Sequence, residues 1–191
     1  MNIISLDIET TGLDPDKHNV LSIGAVNPTD GYEFYREIYY EDLYVSAKTQ
    51  AFLKIDFSKI EKSQKSEPYI VICDFNTWLI NQYNYKPITA MGLNVGSFDL
   101  QFIKKLSQST GSPRTMELFD YRSLDLNSVM IYMLENQYRF SKLSFTDFKN
   151  EKTKQAMELL KINRPKIYEL GIHHALFDAW FNVYLWEILK K

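Results

Sequence analysis

Asp7-Ile8-Glu9 lies in an apolar opening segment that also carries Ile3, Ile4 and Leu6. Side chains alternate along a β-strand, so the two carboxylates share one face while Ile8 packs behind them. Like charges roughly 6 to 7 Å apart on a half-buried strand repel each other, and a cation, protons or water must relieve them. A divalent metal is the relief that turns such a pair to chemical use. As a bare pattern, Asp-x-Glu says little, because a chain of this length has about even odds of one by chance. Asp14-Pro15-Asp16 has the same spacing inside a proline loop and reads as turn and capping residues. Asp99 falls in the first turn of a helical pattern carrying Phe98, Phe102, Ile103 and Leu106. The helix dipole favours a carboxylate there whatever its role. Its place beyond the C-terminal end of a strand, where open sheets form their crevices, favours a functional one. His173 and His174 precede Asp178. At about 100° per residue, His174 lies about 40° from the Asp178 face of a helix and His173 about 140° from it, so periodicity alone selects His174. His18, in a polar loop, has no evident partner.

These residues need elements to carry them. The opening segment, Val20 to Val26 and Tyr32 to Tyr40 read as three successive strands, with Pro28-Thr29-Asp30-Gly31 as turn chemistry before the third. Val71, Phe75, Trp78, Leu79 and Gln82 then follow helical spacing, with Ser66 as N-cap and Pro68 in the first turn. Ile88 to Leu93 reads as a fourth strand, Ser97 as the N-cap of the helix carrying Asp99, and Met116 to Tyr121 as a fifth strand. Helical patterns follow over Leu126 to Asn136, Ser144 to Ile162 and His174 to Leu189. The apolar face of the last is Leu176, Ala179, Trp180, Val183 and Trp186. Strands first, then strands alternating with helices, predict an α/β layer fold with a mixed sheet. No repeat or linker divides the chain, so residues 1–191 read as one domain.

At 191 residues and 22.5 kDa, 45% hydrophobic and 24% charged, the chain can bury a core unaided. Cys73 is the single cysteine, which excludes an internal disulfide. The longest apolar run, Val129 to Leu134, is far short of the roughly 20 residues of a membrane span. The N-terminal residues resemble no secretory leader, so a cytoplasmic location is the expectation. A formal net charge of -2 does not announce a nucleic-acid binder. Charge is uneven, however. Lys149, Lys152, Lys154, Lys161, Arg164 and Lys166 stand against Glu151 and Glu158, and Lys48 to Lys65 is a second basic stretch. Both read first as solvated faces and second as phosphate tracks. The aromatic run Tyr32, Phe34, Tyr35, Tyr39, Tyr40 and Tyr44 reads first as strand composition, although bases can stack on such residues.

Asp7-Ile8-Glu9-Thr10-Thr11-Gly12-Leu13-Asp14-Pro15 resembles the first motif of the DEDD, or DnaQ-like, 3′-to-5′ exonucleases. Phe98-Asp99-Leu100-Gln101-Phe102-Ile103 resembles their second motif, and His173-His174-Ala175-Leu176-Phe177-Asp178-Ala179 the third motif of the histidine-bearing branch. The three occur in the family's order across nearly the whole chain. One departure stands out: the family's Asn lies four residues before the second-motif Asp, whereas Asn94 lies five before Asp99, so no role passes to Asn94.

The resemblance implies a ribonuclease-H-like mixed sheet, with three antiparallel strands followed by parallel ones, flanked by helices. It implies two Mg²⁺ or Mn²⁺ ions held by Asp7, Glu9, Asp99 and Asp178, and His173 as general base, which requires His173 to reach inward from just before the helix and leaves His174 as a partly exposed surface residue. The backbone of Thr10, the side chain of Leu13 and the ring of Phe98 would grip the terminal nucleotide, although Leu13 and Phe98 read equally as core residues. The implied activity is hydrolysis of terminal phosphodiester bonds, of single-stranded DNA in the first place and of RNA in the second, releasing nucleoside 5′-monophosphates. Its partners are a nucleic acid with a free 3′ end and a polymerase or other replication or repair protein. The alternative is an inactive nucleic-acid-binding or polymerase-associated module on the same fold. Oligomeric state has no signature in the sequence.

Overall fold

The computed structural model describes residues 1–41, 43, 45, 49, 51, 65–137 and 143–191. Strands β1 (Asn2–Thr10), β2 (Val20–Val26) and β3 (Glu33–Glu37) form an antiparallel meander. Helix α1 (Pro68–Tyr83) leads to β4 (Ile88–Gly92), and α2 (Asp99–Ser109) leads through a 3₁₀ turn (Pro113–Leu118) to β5 (Phe119–Asp125). Helices α3 (Leu126–Gln137), α4 (Phe145–Asn163), α5 (Pro165–Tyr168) and α6 (Ala175–Leu189) complete the order. The sheet runs β3-β2-β1-β4-β5, with β4 parallel to both β1 and β5. This is the mixed, ribonuclease-H-like α/β sheet expected. No helix among the described residues is long and apolar enough to cross a membrane.

Strand alternation divides the apolar residues between two cores. Ile4, Leu6 and Ile8 of β1 turn toward α1 and α2, against Val71, Phe75, Leu79, Phe102 and Ile103. On the opposite face Val26 and Met91 meet Met130, Phe148, Leu160 and Phe177 from α3, α4 and α6. Helix α6 is buried on more sides than the single face its spacing suggests, since Ala175, Phe177, Phe181, Asn182 and Leu185 are covered too and Trp186 only partly. It is held between the sheet and α4. A helix enclosed in this way loses the polar face on which amphipathic periodicity depends.

Several boundaries differ from expectation. Met116 to Leu118 lie in the 3₁₀ turn rather than a strand, and β5 begins at Phe119. Proline at the head of that turn has φ preset for helical geometry and no N–H to lose. The third strand is confined to Glu33–Glu37. Ser66 forms a bridge with Ile38, so Glu67 takes the N-cap position of α1. Ser97 does not cap α2: its hydroxyl donates to the Asn94 carbonyl, and Phe98 occupies the N-cap position. Ser144 caps α4 as expected, accepting from the Asp147 N–H. Tyr44 and most of the Lys48–Lys65 stretch lie outside the described residues.

Candidate active site

β1 pairs with β4 only from Asn2 to Ser5, so beyond Ser5 the two parallel strands part and a crevice opens. The Ile8 N–H, left without a strand partner on that side, donates to Asp99 Oδ1 at 3.1 Å. The second-motif carboxylate therefore latches the backbone between Asp7 and Glu9. Asp99 reaches it from the first turn of α2, after the tight turn 94–98 in which Asn94 holds φ +61° and its carbonyl accepts from the N–H groups of Ser97 and Phe98. Asn tolerates this left-handed conformation, which accounts for its presence here without a chemical role. A bulge between Glu9 and Thr10 shifts the register with β2 at the rim of the crevice, as bulges beside functional sites commonly do.

Asp178 and His173 come from the other side. Gly24 of β2 sits opposite Asp7. A Cβ on it would lie 2.2 Å from the backbone carbon of Ala175, so only glycine lets the start of α6 descend onto the sheet. Ser5 pins the helix one turn further along, its hydroxyl donating to the Ala179 carbonyl at 2.7 Å. Before the helix, His173 takes φ +69° and its N–H donates to Asp178 Oδ2 at 2.9 Å. Ligand atoms of Glu9, His173 and Asp178 all lie within 4.8 Å of one another. The loop placement lets the histidine that helical spacing rejects reach the carboxylates. His174 is partly exposed, as expected, and its ring stacks on that of Tyr35.

The electrostatics describe a site short of positive charge. Burial, then the charges of Asp99, Asp178 and Glu9, hold Asp7 well above the usual carboxylate range. Burial, then Asp178 and Asp99, push Glu9 up to about 8. Burial lifts Asp99 to about 7 against its own N–H and that of Ile8, and lifts Asp178 to about 7 against the His173 N–H. Four repelling carboxylates with one imidazole beside them form an oxygen-rich donor set that fits hard divalent cations such as Mg²⁺ or Mn²⁺.

The remaining residues sort by exposure. Leu13 is 83% exposed at the tip of the loop after β1, so it is no core residue. Thr10 is buried, its hydroxyl donating to the Gly12 carbonyl at 2.7 Å, and Phe98 is half-buried with its ring 4.9 Å from that of Phe102. Asp14 and Asp16 are turn residues, paired with Lys17 and Lys105 respectively, and His18 Nδ1 lies within hydrogen-bonding distance of the Asp14 backbone. In the basic stretch, Lys152, Lys161 and Arg164 lie over the rings of Phe148, Tyr168 and Trp180, which favours a packing role over a phosphate track. Gly24, Ser22 and Glu37 escaped the sequence reading, and Tyr35 entered it only as one of the strand aromatics. Their relation to the carboxylates lies in the register across three strands.

No family model matches the chain. A 3′-5′ DNA exonuclease of Escherichia coli, Cap18, is 24% identical over 192 residues, covering 98% of this chain and 91% of the relative. Among solved structures, E. coli exonuclease I bound to a dT13 oligonucleotide matches with TM-score 0.71 and 14% identity over 100% of this chain and 41% of its own. The zinc-bound form of the same enzyme with single-stranded DNA matches with TM-score 0.72 and 14% identity over 99% and 40%. The chain thus spans about two fifths of the length of these structural neighbours, and the likeness to them is one of fold.

Proposed function

We propose that this chain is a DnaQ-like exonuclease of the histidine-bearing DEDD branch that removes nucleotides one at a time from the 3′ end of single-stranded DNA, and of RNA as a second substrate. Asp7, Glu9, Asp99 and Asp178 would hold two divalent ions, Mg²⁺ or Mn²⁺, which when bound supply positive charge to the attacking and leaving oxygens of an in-line displacement at phosphorus. The residues divide the remaining work. His173 takes the proton of the attacking water. The water oxygen bonds to phosphorus, the bond from phosphorus to the 3′ oxygen breaks, and that oxygen takes a proton from solvent. The released nucleoside keeps its 5′-phosphate, and the strand is left with a new 3′-hydroxyl. Leu13 and Phe98, with the backbone at Thr10, hold the terminal sugar and base.

The observation that supports this most is convergence. Five groups from three segments far apart in the chain meet where β1 and β4 part: the Asp99 carboxylate on the Ile8 N–H, Asp178 on the His173 N–H, Glu9 within reach of both His173 and Asp178, and Asp7 buried beside the charges of the other three carboxylates. Four carboxylates held together against their own repulsion have an evident use only with cations between them. The test is digestion of 5′-labelled single-stranded DNA and RNA with Mg²⁺ or with chelator, comparing open and blocked 3′ ends. Shortening from the open end alone, abolished by chelator and by Asp7→Ala, is the expected result. Intact strands under every metal condition would leave the inert binding module in its place.

A further inference from the structure

The acidic site continues across the sheet into a second cluster. Strand register sets Asp7, Gly24 and Tyr35 in one row on one face, and Glu9, Ser22 and Glu37 in the next. At the far end of these rows the Tyr35 hydroxyl donates to Glu37 Oε1 at 2.8 Å, and Lys65 pairs with Glu37 Oε2 at 2.9 Å. Tyr35 is therefore fixed at its polar tip while its ring stays open to stacking. The ring it receives is that of His174, with centroids 4.3 Å apart and planes 23° from parallel. Gly24, bare between Asp7 and Tyr35, is the floor on which the first turn of α6 rests.

His174 joins the two clusters through the backbone. It follows His173, whose left-handed φ is sparsely populated by residues other than glycine and persists only where surrounding contacts enforce it. It also occupies the N-cap position of α6, where its carbonyl accepts from the Asp178 N–H at 3.0 Å while the His173 N–H bonds to the Asp178 carboxylate. Together these bonds close the 173–178 segment on itself, so the ring that anchors the segment also sets the direction of both neighbouring side chains. The His174 ring offers no hydrogen bond at Nδ1, which is buried and bonds to no described residue, leaving a flat ring in a slot.

We propose that His174, clamped on the Tyr35 ring, is a positioning residue that holds His173 and Asp178 in place over Glu9 and Asp7. The inference rests on the exonuclease reading for its kinetic readout and stands apart from it in a second one. His174→Ala should lower kcat about 10- to 100-fold, the scale of a small misplacement of reacting groups, with KM changed less than about threefold. His174→Phe, which keeps the flat ring and loses both nitrogens, should restore kcat to within about threefold of wild type. Tyr35→Ala should match His174→Ala, and the double variant should be no worse than either, since the two rings act as one unit. The second readout is the imidazole resonance of His173 in histidine-labelled protein without substrate, which should move or broaden in His174→Ala and return in His174→Phe.

Wild-type kcat in His174→Ala, or His174→Phe as poor as His174→Ala, overturns the proposal. If the wild-type protein cleaves nothing, the exonuclease reading fails, and the resonance alone decides positioning: an unmoved signal in His174→Ala overturns it, a shifted one restored by phenylalanine supports it.

Discussion

Removing divalent ions and raising the pH should destabilise this protein in a way that a single amide substitution reverses. Asp99 is 4% exposed, and burial raises it from 3.8 to about 7. A raised carboxylate binds its proton more tightly folded than unfolded, so its contribution to stability is complete below the unfolded value and is lost as pH climbs through the folded one. A difference of about three pH units corresponds to about 4 kcal/mol, of which about 3 kcal/mol falls between about pH 5 and about pH 8. Glu9 and Asp178 act in the same direction. Their contributions do not simply add, because the groups share one set of charges. For a chain of this size 3 kcal/mol is a fall in melting temperature of roughly 6 to 12 °C. The assay is a set of melting curves across that range in chelator, for wild type and for Asp99→Asn. Wild type should lose stability toward pH 8 and regain it on adding Mg²⁺. The variant keeps an acceptor for the Ile8 N–H without the charge, so it should lose less and be the more stable of the two at pH 8 without metal. Every other titrating group is common to both proteins, and the difference between them isolates the site. A wild-type melting temperature that stays level or rises toward pH 8 in chelator refutes the reasoning.

Three further outcomes follow from named contacts. His173→Ala should lower turnover about 10²- to 10⁴-fold while Mn²⁺ binding, followed by calorimetry, survives; unchanged turnover removes His173 from its role. Gly24→Ala should cost about 1 to 3 kcal/mol by denaturant unfolding and disable cleavage, because the added methyl meets the Ala175 backbone. Leu13→Ala, at an 83% exposed loop tip, should leave the melting temperature unchanged and raise KM for a single strand, whereas a loss of stability would assign that side chain to packing.

The chemistry was more legible in the sequence than the scaffold that aims it. Strand alternation sets Asp7 and Glu9 on one face without reference to the rest of the fold, and the step from β4 into α2 carries Asp99 to the crevice by local pattern alone. His173 shows where local reasoning ends. Helical spacing selected His174, and only the motif resemblance pointed to the residue that stands in the loop at positive φ with its N–H on Asp178. Tyr35 looked like one more strand aromatic because its relation to Asp7 passes through Gly24, and register across two hairpin turns is a property of the assembled sheet. The fifth strand slipped for a similar reason: the apolar spacing of Met116 and Leu118 suits a strand, but the proline-led turn claims them.

The most direct measurement is digestion of a single strand in water enriched in the heavy oxygen isotope, with mass analysis of the products. Mononucleotides bearing one heavy oxygen on the 5′-phosphate, released in Mg²⁺ and absent from Asp7→Ala, are the expected result. Longer fragments, unlabelled phosphate, or release that persists in Asp7→Ala would contradict water attack at this cluster of carboxylates.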